Sequence, residues 1–301
     1  MTAESATEQR PHRDGADLAA LLALEPVGPD LFRTVPDRTA TKRMFGGLVA
    51  GQALFAAGRT VTEDRQAHSL HAHFLRGGDS SRPVDYRVER VRDGGSFSTR
   101  RVTAVQNGTE FFTLTASFQV PEDGWAHQTP RSLGSDPDTL LPGSEVMAAA
   151  GGQNLAWFSA LPWTSPLEVR FDGKLPRVAA LRGEVSEPRQ RFWFRARNPL
   201  PSDPVVHAAA ATFASDTFLL STALAPHASF VGSPELVFAS LDHAVWFHRA
   251  FRADEWLHYE QESIWAGNGR GLCRGLVFDR DGVLVASVTQ EALIRRLPAA
   301  D

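Results

Sequence analysis

The order of secondary-structure signals in this chain occurs twice, and an internal repeat constrains a fold more tightly than any composition does. Phe74, Arg76, Tyr86, Glu89 and Gly94 recur at a constant spacing of 173 residues as Phe247, Arg249, Tyr259, Glu262 and Gly267. The hairpin dipeptides Asn107-Gly108 and Asp281-Gly282 recur almost in phase, with one residue inserted between the copies. Each set follows a run of small residues and leads into strand-like alternation, so the chain reads as α+β: two tandem units, each a buried helix laid on a long antiparallel sheet.

The small-residue runs predict the helices. From Phe45 to Gly58, Leu48, Gly51, Phe55 and Gly58 fall at helical spacing, and alanine and glycine make the rest nearly smooth. An interior glycine costs about 1 kcal/mol of helix propensity, so close packing against a sheet is the expected compensation. In the second copy Asp203-Pro204 reads as an N-cap with proline at the first helical position, opening the alanine-rich run Val205 to Ser215. Strands are predicted where the period is two. Val84, Tyr86 and Val88 alternate with charged residues, and Phe97 to Val105 and Glu110 to Gln119 flank the first turn. Leu167 to Phe171, Gln190 to Arg197, Trp256 to Ile264, Leu272 to Phe278 and Val283 to Ile294 do the same in the second half. The expected division is a disordered arm over 1–17, a first unit over 18–120, a linker over 121–165 with a short helix near Glu145 to Ala150, and a second unit over 166–298.

Composition enters as exclusions. Lysine and arginine number 31 against 35 aspartates and glutamates, a net charge of −4, without the basic excess of a nucleic-acid binder. No apolar run reaches the roughly eighteen residues of a membrane span, and the N-terminal residues lack a signal-peptide core, which points to a cytoplasmic protein. One cysteine, Cys273, cannot make an internal disulfide or a cysteine-based zinc site; in a strand pattern it reads as core filler. No Gly-x-Ser-x-Gly elbow, P-loop or His-Glu-x-x-His site is present, so no metal and no cofactor is expected. Gly267 to Gly271 lies between strands and reads as a turn, and His243, His248 and Asp242 lack a second ligand cluster, which favours core or interface histidines.

Two polar residues sit awkwardly. With the repeat aligned after the turns, Phe112, Leu114, Ala116 and Phe118 match Ala286, Val288, Gln290 and Ala292. That places Gln290 on an apolar strand face, where an unpartnered amide costs roughly 1–3 kcal/mol. A strand end near solvent would remove the demand, and spacing leaves both readings open. Asp216 continues the helical stripe Val206, Ala209, Phe213 and Leu220. A carboxylate there needs a partner, unless it caps a second helix beginning at Thr217.

The motifs, taken in order, resemble a known family. Met44-Phe45-Gly46-Gly47, His68-Ser69, Phe74-Leu75-Arg76 with Gly78-Asp79, Arg92-Asp93-Gly94 with Ser96-Phe97, and Thr115 to Gln119 look like the first half of type II acyl-CoA thioesterases. Ala214-Ser215-Asp216, Leu241-Asp242-His243, Trp246 to Arg249, Asp281 to Ser287 and Gln290-Glu291 look like the second half. The resemblance runs from about Leu21 to Arg295 and implies a double hotdog fold, an acyl-CoA substrate and no cofactor. It also implies a catalytic group of Asp216, Ser240 and Gln290, with Asp216 as general base toward water and the other two orienting it. Asp242 competes for the carboxylate role. The alternatives are a hotdog enoyl-CoA hydratase, for which His207 is the nearest catalytic histidine, and a non-catalytic acyl-CoA-binding protein. The implied architecture also predicts a homodimer or larger homo-oligomer.

Overall fold

A computed structural model describes residues 17–34, 43–131, 133–161 and 164–297. The arm expected over 1–17 lies outside the described residues except for Asp17, whose side chain caps the first helix. The first half contains α1 (Leu18–Leu22), β1 (Glu25–Gly28), β2 (Leu31–Arg33), α2 (Gly46–Gly58), β3 (Gln66–Phe74), β4 (Asp85–Asp93), β5 (Phe97–Gln106) and β6 (Thr109–Gln119). After α3 (Gly143–Ala149) and α4 (Gly152–Ser159) come β7 (Leu167–Phe171), α5 (Pro176–Ala180), β8 (Arg189–Ala196), α6 (Pro204–Ser215) and α7 (Ser221–Leu224). The chain ends with β9 (Leu236–Ser240), β10 (Asp242–Phe247), β11 (Leu257–Gly267), β12 (Arg270–Phe278) and β13 (Leu284–Arg296). Among the described residues no helix is long and apolar enough to cross a membrane.

The repeat predicts a sheet for each half, and the structure joins them into one. The strand order is β1-β2-β4-β5-β6-β3-β10-β13-β12-β11-β8-β7, with β9 paired to β13 off this path. The junction is the antiparallel pair β3–β10, two strands that would otherwise be raw edges with unpaired N–H and C=O groups. His71 stands opposite Ala244, its own counterpart at the 173-residue spacing, so a local two-fold axis passes between them. The axis makes β4, β5 and β6 the counterparts of β11, β12 and β13. Both β5–β6 and β12–β13 turns carry a left-handed glycine, Gly108 at φ 77° and Gly282 at φ 80°. The run Gly267 to Gly271 is the β11–β12 hairpin, with Asn268 at φ 51° and Gly269 at φ 71°.

Helices α2 and α6 lie side by side, antiparallel, on one face of this sheet. Gly47, Gly51 and Gly58 of α2 meet α6 rather than the sheet: a Cβ on Gly47 would stand 2.3 Å from the Phe213 carbonyl oxygen, and one on Gly51 2.8 Å from that of Ala209. Leu48 and Phe55, on the spacing used to predict the helix, stay partly exposed. The whole of α6 from Val205 to Ser215 is buried, as expected for a helix apolar on every side.

The segment expected as a linker is folded against the second half. It contains the anticipated short helix, α3, and a second one, α4, after a break at Gly151 with φ 117°. Met147 and Phe158 from these helices are buried, and the Phe158 ring packs 6.0 Å from that of Phe171. The Ser135 carbonyl accepts the Trp193 indole N–H at 2.9 Å, on the face of the sheet opposite the helices.

Beside Trp193, with ring centroids 4.8 Å apart, lies His258, fully buried and with neither ring nitrogen hydrogen-bonded among the described residues. Burial holds its pKa down to about 4, and burial also lowers those of His207 and His243. The unfolded chain, with histidines near 6.5, therefore takes up protons first as the pH falls. Stability is fully present above about pH 6.5 and is lost toward pH 4, roughly 3 kcal/mol of it through His258. Urea titrations at a series of pH values should show this slope, and His258→Phe should flatten it; an unchanged slope would remove His258 as its source.

Candidate active site

Asp216 is the C-cap of α6. It does not cap a helix beginning at Thr217, because the next helix starts at Ser221. Its carboxylate is held from two directions. Oδ2 accepts the backbone N–H of Gly47, in the first turn of α2, at 2.8 Å. That N–H belongs to the donors every helix start leaves unpaired, at the positive end of the helix dipole, a favourable seat for a carboxylate worth about 0.3–1 kcal/mol. Gly46 adds room: a Cβ there would stand 2.8 Å from Asp216 Oδ2.

Oδ1 faces the second-half sheet. Gln290, on β13 and fully buried, donates from Nε2 to Asp216 Oδ1 at 2.8 Å and to Ser240 Oγ at 2.6 Å. A carboxylate can only accept, so the amide nitrogen must be the end that faces it. The Ser240 hydroxyl closes the triangle with a long 3.4 Å bond to the same Oδ1. Gln290 Oε1 is left buried with no partner among the described residues. The structure thus brings Asp216, Ser240 and Gln290 together, and the solvent-exposed strand end weighed for Gln290 is not what it finds.

The backbone around Asp216 is suspended by side chains from the sheet. The Tyr259 hydroxyl donates to the Ser215 carbonyl at 2.8 Å, Gln261 Nε2 to that of Thr217 at 2.8 Å, and Gln190 Nε2 to that of Phe218 at 2.8 Å. Behind it His243 Nε2 lies 2.7 Å from Ser215 Oγ; burial lowers this histidine's pKa, partly offset by the Asp216 and Asp242 carboxylates. Phe45 and Phe213 form an edge-to-face wall 5.2 Å between centroids, and Phe74 flanks Gly46.

The other candidates are occupied elsewhere. Asp242 Oδ1 accepts the Glu291 N–H at 2.6 Å and braces the break between β9 and β10. His248 pairs with Ser287 Oγ at 2.8 Å. Cys273 is fully buried, and burial pushes its thiol pKa up. A cleft of about 1110 Å³ opens on the opposite face of the sheet, among Arg189, Arg191, Glu262, Arg274, Ser287 and Thr289; the three site residues do not line it.

The first copy lacks this arrangement at every position. Ala67 pairs with Phe118 as Ser240 pairs with Ala292, and Ala116 faces Arg100 as Gln290 faces Cys273. The α2 C-cap is Arg59, which forms an ion pair with Asp203, the α6 N-cap. Arg100, only 1% exposed, fills the emptied space by donating to the hydroxyl and carbonyl of Thr60 and to Asp93. Sequence reasoning placed the whole site in the second half and missed Gly47. The available signal was the glycine pair opening α2, since a helix start without side chains is open to an anion.

Comparisons with known proteins bear on the family of the chain. Residues 164–293 match the family model described as acyl-CoA thioesterase, and residues 35–119 match the acyl-CoA thioesterase N-terminal domain. Acyl-coenzyme A thioesterase 8 of Rattus norvegicus is 41% identical over 93% of this chain and 89% of that protein. Acyl-CoA thioesterase 2 of Haemophilus influenzae is 36% identical over 93% and 97%. The crystal structure of acyl-CoA thioesterase II TesB2 from Mycobacterium marinum superposes with a TM-score of 0.75 at 40% identity, covering 94% of this chain and 99% of that one. With the repeated helix-on-sheet unit of the hotdog fold, these similarities make the chain a member of the acyl-CoA thioesterase family.

Proposed function

We propose that Asp216, Ser240 and Gln290 carry out acyl-CoA hydrolysis in this chain, with Asp216 as general base. A water held against Asp216 gives its proton to the carboxylate as its oxygen attacks the thioester carbon. The tetrahedral intermediate collapses with cleavage of the C–S bond. The proton passes from Asp216 to the departing thiolate, leaving a carboxylic acid and CoA. Gln290 fixes Asp216 and Ser240 together through its two N–H groups, which restricts the geometry in which the carboxylate meets the water. The buried amide that joins the carboxylate to the hydroxyl is the observation that carries this reading.

The hydratase alternative has less support. His207 lies nine residues before Asp216, about 13 Å along α6, and its Nδ1 is taken by the Ala253 N–H at 3.1 Å. The test is free-thiol release from acyl-CoAs running from acetyl to palmitoyl, with Ser240→Ala and Gln290→Leu beside the parent. Each variant should lose about tenfold to a thousandfold in kcat while remaining folded. No thiol release by the folded parent at any chain length would leave the acyl-CoA-binding reading in its place.

Because Tyr259 and Gln261 reach the surroundings of Asp216 through backbone carbonyls, those of Ser215 and Thr217, they act as positioning residues. Gln261→Leu should lower kcat about tenfold with KM nearly unchanged, whereas a purely structural role would change only the unfolding midpoint. We also propose cytoplasmic residence and self-association into a homodimer or larger assembly. In support of the latter, among the described residues β9 is bonded to a strand, β13, on one side only and carries Val237 at 40% exposure. Sedimentation equilibrium returning a monomer would remove the oligomer.

A further inference from the structure

The outer face of the sheet, turned away from α2 and α6, differs between the two copies at one place. Leu272, Leu293 and Ala239 point outward because their chain neighbours Cys273, Ala292 and Ser240 point inward, and Trp265 stands opposite Leu272. With Val237 they form an apolar strip across β11, β12, β13 and β9; Trp265 is 43% exposed and the leucines are half-buried. The paired positions Trp265–Leu272 and Ala239–Leu293 correspond to Arg92–Thr99 and Gln66–Gln119 in the first half, all four of them polar. The exchange runs the other way at Arg270, which stands where the first half has Phe97, and its guanidinium lies 5.7 Å from the Trp265 ring centroid.

The fold does not demand these apolar residues, since the same register in the first copy carries polar ones. Nor does the segment after β6 cover them. It crosses the outer face at the other end of β13, where Gln128 donates to the Gly282 carbonyl at 2.8 Å and accepts the Leu284 N–H at 3.0 Å. Leu293 lies nine residues further along that strand, about 30 Å away. An exposed apolar strip rimmed by charge marks a contact surface. Here the rim carries both signs. Arg270 pairs with Glu291 at 3.0 Å and Arg296 with Glu235 at 3.8 Å, while Arg295 is exposed and makes no ion pair among the described residues. A rim of mixed sign complements itself when a two-fold axis turns it onto a second copy. An anionic lipid surface would be met by cations alone.

We propose that this strip is where two copies of the chain associate, outer sheet face against outer sheet face about a two-fold axis. The proposal rests on the self-association put forward above and gives it a location. Trp265 and the two leucines form the apolar centre of the contact, and the arginines and glutamates form its polar rim. β9 gains most from the arrangement. It turns Ser240 inward to Asp216 and Val237 and Ala239 outward, and among the described residues it is bonded to a strand on one side only. The second copy covers its outer side, so the strand that presents Ser240 is held between the core and the partner.

The test is sedimentation equilibrium of the full chain beside a double variant, Leu272→Thr with Leu293→Gln, which installs the residues the first half carries at the same register. The variant should self-associate at least tenfold more weakly than the parent. Val237→Lys, at an exposed position outside the core, should do the same and carries the test if the double variant fails to fold. Thr99→Ala with Gln119→Ala, at the matching place in the first half, should leave association unchanged. Hydrogen exchange of the β9 amides bonded to β13 should be at least tenfold faster in Val237→Lys than in the associated parent. A parent that associates and is unaffected by Val237→Lys overturns this surface and leaves self-association standing. Equal weakening by the first-half pair overturns the location, and unchanged β9 exchange in a dissociated variant overturns the bracing of that strand. A monomeric parent removes self-association itself, and flotation of that monomer with phosphatidylglycerol vesicles would make a lipid surface the occupant instead. Thiol release is not part of any readout, so the catalytic reading stands or falls separately.

Discussion

Asp216→Asn should lower kcat for acyl-CoA hydrolysis by two to four orders of magnitude, roughly 3–5 kcal/mol of barrier, with the protein still folded. The substitution keeps the size of the side chain and removes its ability to take a proton. One hydrogen bond must also suffer. The carboxylate now accepts from Gly47 N–H through one oxygen and from Gln290 Nε2 through the other, and an asparagine presents an oxygen on one side only. The N–H left facing an amide nitrogen should cost about 1–2 kcal/mol of stability, clearly less than the expected loss in rate. Parallel urea denaturation and single-turnover assays separate the two effects. Partial recovery of Asp216→Gly by added formate would show that a free carboxylate serves as base at this position. Parent-like kcat in Asp216→Asn would exclude the general-base assignment.

Gly47→Ala should have the second large effect, this time on the helix pair. The added Cβ would stand 2.3 Å from the Phe213 carbonyl and 2.7 Å from the Phe45 ring, and the first of these is backbone, which cannot rotate away. The helices must part by about an ångström, at an overpacking cost of 1–3 kcal/mol or more. Alanine's better helix propensity returns at most about 1 kcal/mol. The same movement draws the Gly47 N–H away from Asp216, so kcat should fall tenfold or more alongside the drop in urea midpoint. Gly152→Ala supplies the contrast, since on α4 nothing lies within 4 Å of the added carbon and the substitution should stabilise slightly. If the two variants behave alike, close approach of α2 to α6 is not what Gly47 provides.

The elements that were legible in the sequence are those with strong local periods. β4, β5 and β6 and their counterparts in the second copy follow the alternation that marks a strand with one buried face, and the Asn-Gly and Asp-Gly turns set their register. The α6 start follows from Asp203-Pro204, whose carboxylate accepts the Val205 N–H at 3.0 Å. The strands β3 and β10 were not legible, although they are the seam of the molecule. Histidine and serine interrupt the apolar pattern of β3, where only Leu70 and Ala72 are buried apolar residues. α4 was missed because Gly151-Gly152 reads as a loop, and its helical residues are held in place by Phe158 seated against Phe171.

For the candidate site, the repeat and the period of two suffice to put Gln290 on the inner face of β13, and the small-residue runs suffice to make both helices buried. These are consequences of spacing over two to four residues, and local chemistry reads them directly. Whether that buried glutamine had a partner, and which, was a matter for tertiary structure alone. The antiparallel docking of α2 on α6 brings the last residue position of one helix onto the first turn of the other, so that Asp216 meets Gly47 across 169 residues of chain. That meeting depends on how closely two backbones approach, which is set by the glycines of one helix and the carbonyls of the other together and is encoded in neither segment by itself.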